Sequence, residues 1–147
     1  MKPQNEMNLS FESRSSNEAF ARCAVAAFLT QLDPTVSELN DIKTAVSEGV
    51  TNCVVHAYRD TIGKVYINVK IEENSLITVK IRDKGCGIEN IKKAMEPLFT
   101  TAPSDERAGL GFAVMESFTD KLKVRSKVGK GTVVTFQKRL NCRVGNG

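Results

Sequence analysis

Apolar residues return along this chain with two periods, and the switches between them mark its elements. Met7, Leu9 and Phe11 alternate with polar residues, a period of two that predicts a first strand. The spacing then lengthens. Ser15 with Glu18 matches a capping box and opens a predicted helix to about Leu32, with Phe20, Ala24, Ala27 and Phe28 on one face. Asp33-Pro34 ends it. Thr35 with Glu38 repeats the capping pattern and opens a second helix, whose buried stripe is Leu39, Ile42, Val46, Val50 and Val54.

Strands are predicted over 64–71 and 75–83, joined by a short E-E-N turn. Ile77, Val79 and Ile81 share a face, and the same parity carries Asp83 onto it. D-K-G-C-G follows, a tight turn that exposes backbone. A short helix over 88–95 ends at Pro97, and L-F-T-T-A-P-S-D-E-R reads as a mobile loop. G-L-G-F opens another helix to about Phe118, and 122–126 with 132–140 form a hairpin around V-G-K-G. The tail, 141–147, is expected to fray. The order β-α-α-β-β-α-loop-α-β-β predicts an α+β two-layer sandwich, a mostly antiparallel sheet with helices on one face. No internal repeat or linker divides residues 1–147, so one domain is expected.

Composition narrows the class. The chain of 147 residues, 41% hydrophobic and 26% charged, is ordinary for a globular domain with a real core. Its longest apolar run, 23–29, is too short to span a bilayer. The start, M-K-P-Q-N-E-M, lacks the apolar core of a signal peptide, so a cytoplasmic location is expected. The four cysteines, Cys23, Cys53, Cys86 and Cys142, form no C-x-x-C, and free buried thiols are expected rather than zinc or disulfides. The net charge of +4 is spread along the chain with a modest cluster over 121–130, read as solvated surface. Direct nucleic-acid contact is not expected.

Candidate chemistry begins in S-E-G-V-T-N-C-V-V-H-A, residues 47–57, where Glu48, Asn52 and His56 recur one helical turn apart. An amide oxygen suits a hard cation such as Mg2+, and a carboxylate one turn away can take a proton. A solvated polar stripe is the alternative, and His56 also reads as a helix-end cap. Asp83 points inward from a strand end, either to accept from an amino group such as that of adenine or to close an Asx turn. In G-L-G-F, glycines at a helix start offer N–H groups to anions. The stretch is neither a dinucleotide fingerprint nor a P-loop. Arg107, just upstream, either reaches a terminal phosphate or stands exposed in its loop.

Taken together and in order, E-x-x-x-N, D-x-G-x-G, a loop and G-x-G opening a helix resemble the N box and two glycine boxes of the GHKL ATPases, which share the Bergerat fold. Further stretches, N-E-A-F-A-R, Q-L-D-P-T, P-L-F-T-T and E-R-A-G-L-G-F-A-V-M-E-S-F-T-D, are similar to the sporulation anti-sigma-F factors, over nearly the whole chain to about Leu140. The resemblance implies a homodimeric ATP-dependent serine kinase. Such a protein holds a sporulation sigma factor inactive and phosphorylates its anti-anti-sigma antagonist. It further implies that Glu48 is the general base, Asn52 the Mg2+ ligand and Asp83 the adenine reader. Gly85, Gly87, Gly109, Leu110, Gly111 and Phe112 then border ATP or ADP, Arg107 assists the terminal phosphate, and Thr132 lies near adenine. Arg22 on the first helix is the implied partner contact.

Two positions depart from the family pattern. The lid reads T-T-A-P with Ala102 where lysine is common, and His56 is followed by Ala57 rather than glycine. The chain is also basic where known relatives are acidic. Competing readings are a general stress-response anti-sigma kinase, a sigma-sequestering module that binds nucleotide without turnover, and a histidine-kinase catalytic fragment. The last is disfavoured because no phosphoacceptor helix precedes the N box.

Overall fold

The computed structural model describes residues 4–95 and 111–141. Strand β1 (Asn5–Glu12) leads into helix α1 (Asn17–Leu29), a single 3-10 turn (Thr30–Leu32) and helix α2 (Val36–Thr51). A π turn (Asn52–Ala57) extends α2, and β2 (Lys64–Glu72) and β3 (Leu76–Asp83) follow. Helix α3 (Ile91–Ala94), helix α4 (Phe112–Ser117) and the hairpin β4 (Lys121–Lys127) and β5 (Gly131–Arg139) complete the described residues. The five strands form one antiparallel sheet in the order β1-β2-β3-β5-β4. The expected α+β architecture is therefore present.

Period-two patterning builds the core face of the sheet. Val65, Ile67, Val69 and Ile71 of β2 pair across to Ile77, Val79, Ile81 and Asp83 of β3, all buried. Val134 and Phe136 of β5 continue that face. Ile42, Val46 and Val50 of α2 and Phe112 and Met115 of α4 belong to the same core. The opposite face is polar. Along edge strand β4, Lys121, Lys123, Arg125 and Lys127 are exposed, a charge pattern that discourages edge-to-edge pairing.

Both helix starts differ in kind. At α2, Glu38 N–H donates to the Thr35 hydroxyl at 3.0 Å while Thr35 N–H donates to the Glu38 carboxylate at 2.9 Å, the full capping box. At α1 the expected box is absent: Ser16 occupies the cap position with no side-chain bond. The Glu18 carboxylate instead accepts from Arg22 and Ser47. The expected face of α1 is also corrected. Its buried stripe is Ala21, Val25 and Leu29 with Ala26, whereas Phe20 is 54% exposed and Ala27 lies in solvent. Phe20 packs edge-to-face on Phe11, ring centroids 6.3 Å apart.

Smaller corrections follow the same logic. α1 stops as α-helix at Leu29, and Asp33 turns left-handed at φ 50° before Pro34. The helix expected over 88–95 is only Ile91–Ala94, because Asn90 is extended at φ −130° and its side chain caps the start by accepting from Lys93 N–H at 3.0 Å. Of the described cysteines, Cys53 is free and buried, but Cys23 and Cys86 are free and exposed. The expected lid with Ala102 and Arg107, then Gly109 and Leu110, and the tail with Cys142 lie outside the described residues. No helix among the described residues is long and apolar enough to cross a membrane.

Candidate nucleotide site

A cleft of about 250 Å³ opens between the C-terminal end of α2, its π turn and the ends of β3 and β5, lined among others by Asn52, His56, Asp83, Gly87, Phe112 and Thr132. Strand parity puts Asp83 here, and only 6% of the residue is exposed. Gly85 N–H donates to Asp83 Oδ1 at 2.9 Å, and the Cys53 thiol donates to Oδ2 at 3.6 Å. Burial pushes the carboxyl up, while the Gly85 N–H, the thiol and the Thr132 N–H oppose that shift by favouring the charged form. Thr132 stands directly opposite Asp83 in the β3–β5 register.

The π turn reshapes the other wall. Asn52 N–H still donates to Glu48 C=O, but from Asn52 to Ala57 the backbone widens to i→i+5 bonding, as in the Tyr58 N–H to Cys53 C=O bond of 3.1 Å. The stripe Glu48, Asn52, His56 is thus not one α-helical face, although Asn52 and His56 both line the cleft. The widened turn presents Ala57 C=O to Cys86 N–H at 3.1 Å. Gly85 lies so close to Ala57 that a β-carbon at this position would collide with that carbonyl. Tyr58 hydroxyl donates to Lys64 C=O at 2.8 Å and accepts from Lys84 N–H at 2.6 Å. The D-x-G-x-G turn that begins at Asp83 is therefore tied to the π turn and to Tyr58. The Asn52 amide nitrogen is buried with no hydrogen-bond partner, which a native structure tolerates where a ligand completes the site.

Glu48 sits one turn before Asn52 but lines a neighbouring recess of about 350 Å³ with Arg22, Lys43 and Ser47. Gly111 precedes α4 at φ 64°, and a β-carbon there would strike Glu48 Oε1. Burial raises the Glu48 carboxyl above its ordinary value, and the charge of Glu18 raises it further. Glu18 in turn accepts from Arg22 Nε at 2.9 Å. Arg22 is half-buried beside Ala21, so it borders the corrected apolar stripe.

The structure thus gathers Asn52, Asp83, Gly87, Phe112 and Thr132 at one cleft, with Gly85 behind it and Glu48 and Gly111 at its flank. Arg22 shares the recess of Glu48 and stands apart from the cleft. Sequence reasoning missed Cys53 and Tyr58 as supports of the Asp83 turn. Cys53 adjoins Asn52, but no local pattern announces a contact across 30 positions.

Residues 11–138 match the family described as Histidine kinase-like ATPase domain. The anti-sigma F factor of Caldanaerobacter subterraneus subsp. tengcongensis is 55% identical over 140 residues, covering 95% of this chain and 97% of its own length. That of Priestia megaterium is 49% identical over 138 residues, covering 93% and 94%. Among solved structures, the RsbU and RsbW domains of a Mycobacterium tuberculosis protein align with a TM-score of 0.67 at 17% identity, over 94% of this chain and 33% of that one. The mycobacterial sensor histidine kinase MprB aligns with a TM-score of 0.56 at 14% identity, over 92% of this chain and 99% of that one. Fold and cleft together define a histidine kinase-like ATPase domain, and the chain belongs to that family. Within it, the chain belongs to the anti-sigma F factor family.

Proposed function

We propose that this chain is one ATP-binding domain over residues 1–147 that acts in the cytoplasm as a homodimer. It binds and inhibits a sporulation sigma factor, and it phosphorylates the antagonist of that inhibition, an anti-anti-sigma protein, on serine. The observation that carries the reading is the placement of Glu48 one helical turn from Asn52, with Asp83 facing the same end of α2 across the cleft. Asp83 accepts from the amino group of adenine, and Gly85, Gly87 and Thr132 frame the base. Gly109, Leu110, Gly111 and Phe112 border the phosphates, and Arg107 meets the terminal one.

Asn52 suits Mg2+. Its side chain lines the cleft and its amide oxygen is a hard donor, while the buried amide nitrogen that lacks a protein partner is a hydrogen-bond donor suited to a phosphate or water rather than to the ion. Bound there with nucleotide, the ion neutralises phosphate charge. Glu48 takes the proton from the attacking serine hydroxyl, and its raised carboxyl pKa brings its basicity closer to that task. Arg22 contacts both protein partners.

The test mixes the chain with ATP or ADP and Mg2+, a sporulation sigma factor and its anti-anti-sigma protein. Sigma capture and phosphoserine formation are read by affinity chromatography and mass spectrometry. Capture with phosphoserine on the antagonist is expected. Capture without transfer leaves a sequestering module and refutes the kinase reading.

A further inference from the structure

Asp83 has more donors than an Asx turn needs. A carboxylate offers about four lone-pair positions. Gly85 N–H occupies one on Oδ1, and the Cys53 thiol occupies one on Oδ2. Each oxygen keeps one open acceptor position, and on Oδ2 the thiol decides which one is left for the cleft that Asp83 and Cys53 both line. Cys53 is 2% exposed, and its Sγ lies 3.6 Å from Oδ2. Its position on the π turn, directly after Asn52, aims the thiol at the strand end rather than into the helix interface.

We propose that Cys53 is a positioning residue for base selection, its S–H holding Asp83 so that the one open acceptor position on Oδ2 is aimed at an exocyclic amino group of a purine. The inference rests on the reading of Asp83 as the base reader. The S–H is a weak donor, and its buried place 3.6 Å from Oδ2 gives it that carboxylate as acceptor. The same bond favours the ionised, acceptor-only form of Asp83. A purine with a 6-oxo group in place of the 6-amino group meets acceptor against acceptor and is rejected. Without the thiol, Oδ2 has a second open position and the carboxylate is free to tilt, which costs the amino contact and relaxes that rejection.

Calorimetry compares ATP with inosine triphosphate on the wild-type chain, Cys53→Ala, Cys53→Ser and Asp83→Asn. Cys53→Ala is expected to lower the preference for ATP by roughly three- to tenfold, the weight of one weak hydrogen bond. Cys53→Ser, which restores a donor, is expected to recover most of it. An unchanged preference in Cys53→Ala, with preference lost in Asp83→Asn, overturns the role of Cys53 alone. Unchanged ATP affinity in Asp83→Asn overturns the base-reader assignment and this inference with it. The S–H stretching band gives a second readout, with Cys23, Cys86 and Cys142 replaced by serine. A hydrogen-bonded band that shifts in Asp83→Asn supports the proposal even where Cys53→Ala fails to fold, and an unbonded band overturns it.

Discussion

Asp83 keeps a carboxylate at the end of a strand where 6% of the residue meets solvent. Burying that charge is unfavourable, and its donors offset the cost only in part, since its pKa is still raised from the ordinary aspartate value. Asp83→Asn is expected to weaken ATP binding by about 1.5–3 kcal/mol, the scale of a hydrogen bond to a charged group, as measured by calorimetry. A pH dependence follows from the same residue. Protonated, the carboxyl gives up acceptor capacity, so ATP affinity should fall as pH drops through the raised Asp83 value, earlier than an exposed aspartate would allow. Calorimetry at stepped pH should show this component in the wild type and not in Asp83→Asn. Strand parity made Asp83 legible in the sequence, because Ile77, Val79 and Ile81 fix the face. Cys53 and Tyr58 were not legible as its supports, because both act through contacts more than 25 positions away.

Among the elements, α2 shows what local chemistry announces. Its capping box forms as the spacing of Thr35 and Glu38 implies. Thr35→Ala should cost about 1 kcal/mol of stability, read as a lower denaturant midpoint with unchanged slope. ATP affinity of the folded variant should hold, since the cap lies some 16 residues, about 24 Å, from the cleft end of the helix. The first helix shows the opposite. In A-F-A-R-C-A-V-A-A-F-L apolar residues occur nearly all round, so the periodicity leaves its phase open. Packing chose the small Ala21 and Ala26 with Val25 and Leu29 and left Phe20 to Phe11. The π turn has no sequence signature of its own. It is set by what it meets, the Ala57 carbonyl on Cys86 and the Tyr58 hydroxyl under Lys84.

At the scale of the molecule, hairpins and clustered helices made the α+β layers legible, but not the place of β5 between β3 and β4. That non-local pairing sets Thr132 opposite Asp83, which gives a physical reason for a threonine that the sequence alone connected to adenine only by resemblance. Arg22 belongs to this scale too, because its proposed role concerns partners. It shares a recess with Glu48 but lies away from the cleft, so Arg22→Ala should lose at least about 2 kcal/mol of affinity for both protein partners while ATP binding survives. Loss of all three affinities on one preparation would point to misfolding. Retained sigma binding would remove the role assigned to Arg22.

The central claim is that the cleft delivers a phosphoryl group to serine with Glu48 as the base. Single-turnover transfer from labelled ATP to the anti-anti-sigma protein tests it most directly, comparing the wild type with Glu48→Gln at saturating nucleotide. The account predicts phosphoserine in the wild type, and in the variant a rate roughly 10²–10⁴ lower with nucleotide affinity nearly unchanged. Equal rates in the two proteins, or no phosphoserine with the wild type, would contradict it.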